Sequence, residues 1–329
     1  MKLLLKKILF FAIIWFAMAC VLDYYLSIRI RHSRFREYRI WEDIFNSRIT
    51  SDMIVLGSSR TYDHYNPIIF ESILNNDFYN LGLDGKKIDM DIFRYHQYKK
   101  YHNRQPRYII WDIYHRSFAK SNGYSDEQFM GYIWDDDIWQ EIHSRENNVN
   151  WFDRTIPLLR YWRRNMIRTY PDAVMDVYKG YVKYCPSFDG TELRRTKDHS
   201  IDCCYDSTII NSFRQTVKEM QNDGSKVILI YSPFYYQGQQ KVKNLDHFIS
   251  FVQEMAEQES CLFINYLNDS INYDTSLFMN ASHLNGYGAD VFSSILANDL
   301  DSILNRKNNT QIANMKQSTA SKSFSMSAY

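Results

Sequence analysis

A chain of 329 residues with 45% hydrophobic and 16% aromatic residues can hold one large domain with an insertion and a sizeable core, which excludes global disorder. Its formal net charge of +1 gives no electrostatic reason for a polyanionic partner, and no nucleic acid is expected. The cysteines Cys20, Cys185, Cys203, Cys204 and Cys261 are odd in number and lack metal-ligand spacing, so neither a metal nor a cofactor is expected. A disulfide from Cys185 to one of the adjacent pair Cys203-Cys204 stays open outside the cytosol.

At the N-terminus, Lys2, Lys6 and Lys7 precede an apolar run from Ile8 to Leu22. The run is short for a span of about 20 residues, but Leu3 to Leu5 extend it if the lysines snorkel towards water. Residues 1–26 therefore read as a signal-anchor transmembrane helix. Ala17-Met18-Ala19-Cys20 also suits a lipoprotein signal. Either reading places the remainder outside the cytoplasm, periplasmic or at the cell surface. Arg29, Arg31, Arg34 and Arg36 follow the run, so charge asymmetry alone does not set orientation. Residues 27–50, basic and aromatic, read as a juxtamembrane stalk.

From Ser51 onward, strand and helix patterns alternate. Met53-Ile54-Val55-Leu56, ended by Gly57, suits a buried strand. Asn66-Pro67 gives a cap and a first-turn proline for a helix to about Asn75. A second strand at Phe78 to Leu81 closes at Gly82 and Gly85, a helix follows from Ile88 to Tyr101, and a third strand covers Tyr108 to Trp111. Ser207 reads as the cap of a helix to about Asn222, stopped by Gly224. Lys226 to Tyr231 is a fourth strand, Leu245 to Glu259 a helix, Leu262 to Asn265 a fifth strand, and Gly286 to Leu304 a last amphipathic helix. This alternation predicts an α/β fold, a three-layer αβα sandwich with a five-stranded, mostly parallel sheet. The domain spans residues 51–305 and is interrupted by a mostly helical insertion at 117–205. The insertion's aromatic residues suit either a sugar-stacking wall over the site or the core of a lid. Arg160, Arg163, Arg164 and Arg168, at helical spacing, read as a solvated face, and Asp135-Asp136-Asp137 as a solvated acidic turn. Residues 306–329, rich in Ser, Asn and Lys, read as a disordered tail.

Right-handed crossovers bring the loops after the strands to one sheet edge, where sites in such folds lie. There Gly57-Ser58-Ser59-Arg60 exposes a hydroxyl at a strand end, although a serine in such a turn is ordinarily a hydrogen-bonding turn residue. The segment Asn280-Ala281-Ser282-His283-Leu284-Asn285 precedes the last helix, so His283 can reach the first strand's edge as general base for Ser59. Asn280, three positions earlier, can hold the other ring nitrogen and set the tautomer.

IleValLeuGlySerSerArg, AsnLeuGlyLeuAspGly and SerHisLeuAsn-x-x-Gly-Ala together resemble the SGNH (GDSL-type) hydrolases. The likeness is nearest to their membrane-anchored cell-envelope branch, which includes the D-alanyl transfer protein of teichoic acids and the alginate acetylation proteins. It covers roughly 51–116 and 206–304. The resemblance implies a nucleophile at Ser59, a base at His283, and oxyanion donors at the amides of Ser59 and Gly85. It departs from the family at two points. The asparagine block after the third strand is replaced by Asp112-Ile113-Tyr114-His115-Arg116, leaving a third donor open among Tyr114, His115 and Arg116. The usual acid is Asn280, which brings no charge, with Asp274 the nearest carboxylate considered in its place. Arg60, Tyr114 and His115 are expected to contact substrate. The expected function is a serine esterase or O-acyltransferase on an acylated surface glycan or glycolipid, with a membrane acyl-donor protein as a further partner. The alternative is an inactive, anchored binding or assembly factor for envelope polysaccharide.

Overall fold

The structure, a computed structural model, describes residues 1–33, 35–85, 87–120, 126–145, 149–166, 177–195 and 199–304. The expected tail at 306–329 lies outside them. Helix α1 (Lys2–Arg31) and α2 (Arg36–Phe45) lead into β1 (Met53–Leu56), α3 (Ser59–His64), α4 (Pro67–Leu74), β2 (Phe78–Asn80), α5 (Ile88–Tyr101) and β3 (Tyr108–Asp112). After the insertion come α6 (Ser207–Asn222), β4 (Lys226–Tyr231), α7 (Leu245–Gln258), β5 (Leu262–Asn265) and α8 (286–304). The five strands form one fully parallel sheet in the order β2-β1-β3-β4-β5.

Alternation along each strand divides the core into two layers. Ile54 and Leu56 of β1, Ile109 and Trp111 of β3, and Val227, Leu229 and Tyr231 of β4 face one cluster with residues of α5, α6 and α7. Met53, Val55, Tyr108, Ile110, Ile228 and Ile230 face the other, with Phe70 of α4 and Phe292, Leu296 and Leu300 of α8. Both faces are covered, so the strands are continuous apolar runs rather than alternating ones. The α6 cap differs from expectation in one residue. Asp206, not Ser207, accepts from the amides of Thr208 (2.9 Å) and Ile209 (3.1 Å).

Residues 27–50 are not a stalk. Helix α1 runs unbroken to Arg31, and from Asp23 onward it packs into the domain, burying Asp23, Ser27 and Ile30. Helix α2 buries Tyr38, Ile40, Trp41 and Ile44 on one amphipathic face. Two of the arginines in this segment are used internally. Arg31 Nε donates to Glu42 (2.9 Å), and Arg36 is fully buried, donating to the carbonyls of Gly180 and Tyr62.

The insertion splits in role. Its first half, with a 3₁₀ turn at Asp126–Tyr132 and helices at Asp136–Arg145, Trp151–Thr155 and Leu159–Arg163, joins the core beside α1 and α2 through Phe129, Met130, Ile133, Ile138 and Tyr161. Its second half approaches the sheet edge, where Ile201–Asp202 pairs in parallel with Val242–Lys243. Arg160, Arg163 and Arg164 are not a solvated face: they are bound to Asp23, Asp153 and Asp126, while Arg168 lies outside the described residues. In the acidic turn, Asp135 caps the following helix, Asp136 pairs with Arg154 (2.6 Å) and Asp137 with Lys100 (2.6 Å). No cluster of His, Cys, Asp or Glu that could hold a metal occurs among the described residues. All five cysteines are free thiols.

Candidate active site

The turn after β1 is built to present Ser59. Gly57 has φ +147, and a Cβ there would lie 2.2 Å from Thr61 Oγ1, so a side chain is excluded by conformation and space. The chain then enters α3 with Ser59 as its first residue, which lifts the hydroxyl clear of the sheet edge. Two groups grip the Gly57 carbonyl: the Leu83 amide (3.2 Å) and Arg94 Nη2 of α5 (3.3 Å). Arg94 is itself buried, ion-paired with Asp91 (2.6 Å), whose other oxygen accepts from Trp111 Nε1 (3.0 Å). Asn80 fastens the next loop to α3. Its Nδ2 donates to the carbonyls of Thr61 (2.8 Å) and Tyr65 (2.9 Å), and its Oδ1 accepts from the Gly82 amide (2.8 Å).

From the far end of the chain, His283 reaches this turn with Nε2 at 2.7 Å from Ser59 Oγ. Its Nδ1 lies 2.9 Å from Asn280 Oδ1. That same oxygen accepts from the backbone amides of Ser282 and His283, each at 2.9 Å, and so must be the carbonyl end of the side chain. The imidazole proton therefore sits on Nδ1, and the Nε2 lone pair faces the serine hydroxyl. Asp274 does not take this part: its carboxylate caps a turn, accepting from the Ser276 amide (2.9 Å) and hydroxyl (2.6 Å).

A second histidine holds the first in place. His64, at the end of α3 and fully buried, accepts from the Leu284 amide at Nε2 (3.0 Å). Its Nδ1–H then donates to Ser232 Oγ (3.1 Å), which donates to Asp112 Oδ2 (2.7 Å). This chain joins the ends of β3 and β4 to the His283 loop and leaves each buried polar group a partner. No local pattern flags His64, because its partners come from residues 112, 232 and 284.

Beside the pair lies a cavity of about 380 Å³ lined by Ser59, Arg60, Tyr114, His115, Lys87 and His283, with Glu192, Leu193 and His199 of the insertion on its far wall. Arg60 forms part of its floor and is buried. Its Nη2 donates to the carbonyls of Ser232 and Pro233, and the guanidinium lies over the Tyr231 ring at 4.7 Å. His115 stacks on Phe234 with ring centroids 5.5 Å apart, and Tyr114 is half-buried at the rim. Gly85, φ +65, is exposed at the tip of its loop and does not line the cavity. The trpytophan-rich half of the insertion lies against α1 instead of over the cavity.

Burial and the Arg60 charge act together on the imidazoles. His283 is lowered to about 4, first by desolvation and then by Arg60, with Asp84 opposing. His115 is lowered to about 3 by burial, then by Arg60 and Arg116. His64 is held well below 6.5 by burial, Arg60 and His283. At neutral pH His283 is thus uncharged and able to accept a proton from Ser59.

No family profile matches the chain, and no curated protein matches its sequence. Solved structures similar to it include a Streptococcus pneumoniae protein provisionally described as a platelet activating factor, with TM-score 0.43 and 11% identity over 90% of this chain and 99% of the other. A family two carbohydrate esterase from Clostridium thermocellum, solved with cellohexaose, has TM-score 0.40 and 10% identity over 77% of this chain and 64% of its own. An acetyl xylan esterase has TM-score 0.38 and 12% identity over 76% of this chain and 98% of its own.

Proposed function

We propose that this chain is a membrane-anchored serine ester hydrolase or O-acyltransferase. The observation that carries the reading is the Ser59 Oγ–His283 Nε2 contact of 2.7 Å, with Nδ1 held at 2.9 Å by Asn280, beside an open cavity. In the proposed reaction Ser59 Oγ attacks the acyl carbonyl while its proton passes to His283 Nε2. The amide of Ser59, at the start of α3, holds the oxyanion of the tetrahedral intermediate; Gly85, exposed and outside the cavity, is not placed to share it. Collapse expels the alcohol, which takes the proton from His283 and leaves an acyl-serine. Water, or the hydroxyl of an acceptor, then attacks that ester by the same proton route in reverse, giving hydrolysis or transfer. Tyr114 and His115 line the space for the acyl donor. Arg60 acts from below as a fixed positive charge.

The residues 2–22 of α1 support the anchor. They form the exposed part of a 30-residue helix, with mean hydropathy 2.1 over its apolar stretch, long and apolar enough to cross a membrane. An extracytoplasmic domain, an acylated surface glycan or glycolipid as substrate, and a membrane acyl-donor partner follow from the resemblance to the envelope branch of the SGNH hydrolases. Asn280 favours a second reading, an inactive binding or assembly factor, because it offers an imidazolium no countercharge. The two are separated by treating the full chain in detergent with a fluorophosphonate, alongside Ser59→Ala and His283→Ala. Labelling that vanishes in both variants supports the enzyme. A folded, unlabelled wild-type chain rejects it in favour of the binding factor.

A further inference from the structure

After α1, seven large apolar side chains other than tyrosine are exposed among the described residues. Five of them, Trp134, Trp151, Phe152, Ile156 and Trp162, fall within one stretch of the insertion. Trp151 and Trp162 are 62% and 74% exposed, far more than a tryptophan serving a core. This stretch is bolted to α1. The Leu158 amide and Arg160 Nη2 donate to the two oxygens of Asp23, at 2.7 and 2.5 Å, and Tyr161 Oη lies 2.7 Å from Ser27 Oγ. Asp23 and Arg160 are both buried, so the joint is a fixed part of the core and not a hinge.

The geometry sets a level for this stretch. From Lys2 to Leu22 the helix rises about 30 Å, the thickness of a bilayer's hydrocarbon layer. A membrane around it would therefore end near Asp23. Yet a cleft of about 710 Å³ between α1 and the insertion is lined by Phe16 and Cys20 on one side and by Trp134, Thr155 and Pro157 on the other. Phe16 lies seven residues before Asp23, about 10 Å further along the helix towards the membrane centre. The aromatic stretch thus overlaps the last turns of the apolar segment, at the depth where tryptophan is favoured.

We infer that Trp134, Trp151, Phe152, Ile156 and Trp162 bed into the polar–apolar interface of the bilayer that α1 crosses, with lipid filling the cleft beside Phe16 and Cys20. This rests on the anchor reading above. The domain is then held in one orientation on the membrane by two contacts, a helix through it and an aromatic face in it. The test uses the full chain in nanodiscs of phosphatidylcholine brominated near the glycerol end of its acyl chains, which quenches tryptophan fluorescence at interfacial depth, mixed with phosphatidylcholine brominated near the methyl end, which quenches it near the midplane where Trp15 lies. Trp41 and Trp111 are buried and Trp139 is stacked on His143, and these three supply the background common to every variant. Trp15→Phe should remove part of the quenching, and adding Trp134→Phe, Trp151→Phe and Trp162→Phe should abolish what is left. If Trp15→Phe lowers the quenching but the further three changes do not, the anchor stands and the docking face is refuted. If Trp15→Phe changes nothing, α1 is not in the bilayer and the inference falls with the anchor.

Discussion

Replacing Asn280 with aspartate would put a negative charge where an amide oxygen now accepts the Nδ1 proton of His283 at 2.9 Å. The shape is nearly unchanged, and the acceptor role towards the amides of Ser282 and His283 is kept. With charge centres about 4 Å apart and an effective dielectric of about 20, the attraction for an imidazolium is at most about 4 kcal/mol. Part of that is lost to solvent at this partly buried loop, so the His283 pKa should rise by roughly one to three units. In the serine-protease triad the reverse change costs about 10⁴ in turnover, partly through a wrong tautomer. Here the tautomer is already right, so Asn280→Asp should accelerate acylation by a smaller factor, roughly 10- to 1,000-fold. The assay is the fluorophosphonate labelling rate, or hydrolysis of an activated acetate ester, followed from acid to neutral pH. A base must be unprotonated to act, so wild-type activity should rise through about pH 4 and then level off. In Asn280→Asp the rise should move to higher pH and the plateau should increase. An unmoved midpoint with an equal or lower plateau would refute the role given to Asn280.

Three further outcomes are expected. His64→Ala leaves the buried Leu284 amide without its partner, at about 1–3 kcal/mol, while the Ser232 hydroxyl keeps Asp112; turnover should drop through displacement of His283, while labelling of Ser59 slows without vanishing. Asp23→Ala strands the buried Arg160 charge and should cost about 3–5 kcal/mol in urea unfolding of the solubilised chain, whereas Asp23→Leu with Arg160→Met should recover most of it. Folded-state pKa values of His64, His115 and His283 lie below the unfolded value of 6.5, so the unfolded chain binds more protons in the window beneath it. Stability should therefore be full above about pH 6.5 and fall as pH drops towards 3, and His115→Phe, which keeps the stack on Phe234, should shallow that fall in a thermal melt series.

What could be read from the sequence was whatever is decided within a few residues. Met53–Leu56 and Lys226–Tyr231 were legible because a strand buried on both faces must be a continuous apolar run. Asn66-Pro67 marks a helix start because its cap and fixed φ are local properties. The Ser59 turn and the His283 loop were recognisable as candidates for the same reason, each by its place at an element's end. The contact between them spans 224 residues, and only the parallel stacking of β1, β3 and β4 under α8 brings it to hydrogen-bond distance. His64, Arg94 and the carbonyl-bound Arg60 had no such mark, since what defines each is a partner remote in sequence. The same holds for residues 27–50, whose basic, aromatic composition fits an exposed stalk equally well. They are folded because Met130, Arg160 and Tyr161, more than a hundred residues later, close over Asp23 and Ser27. Local conformation depends on the torsions and apolar period of a short segment, whereas burial of a charge or placing of a base depends on which distant surfaces meet.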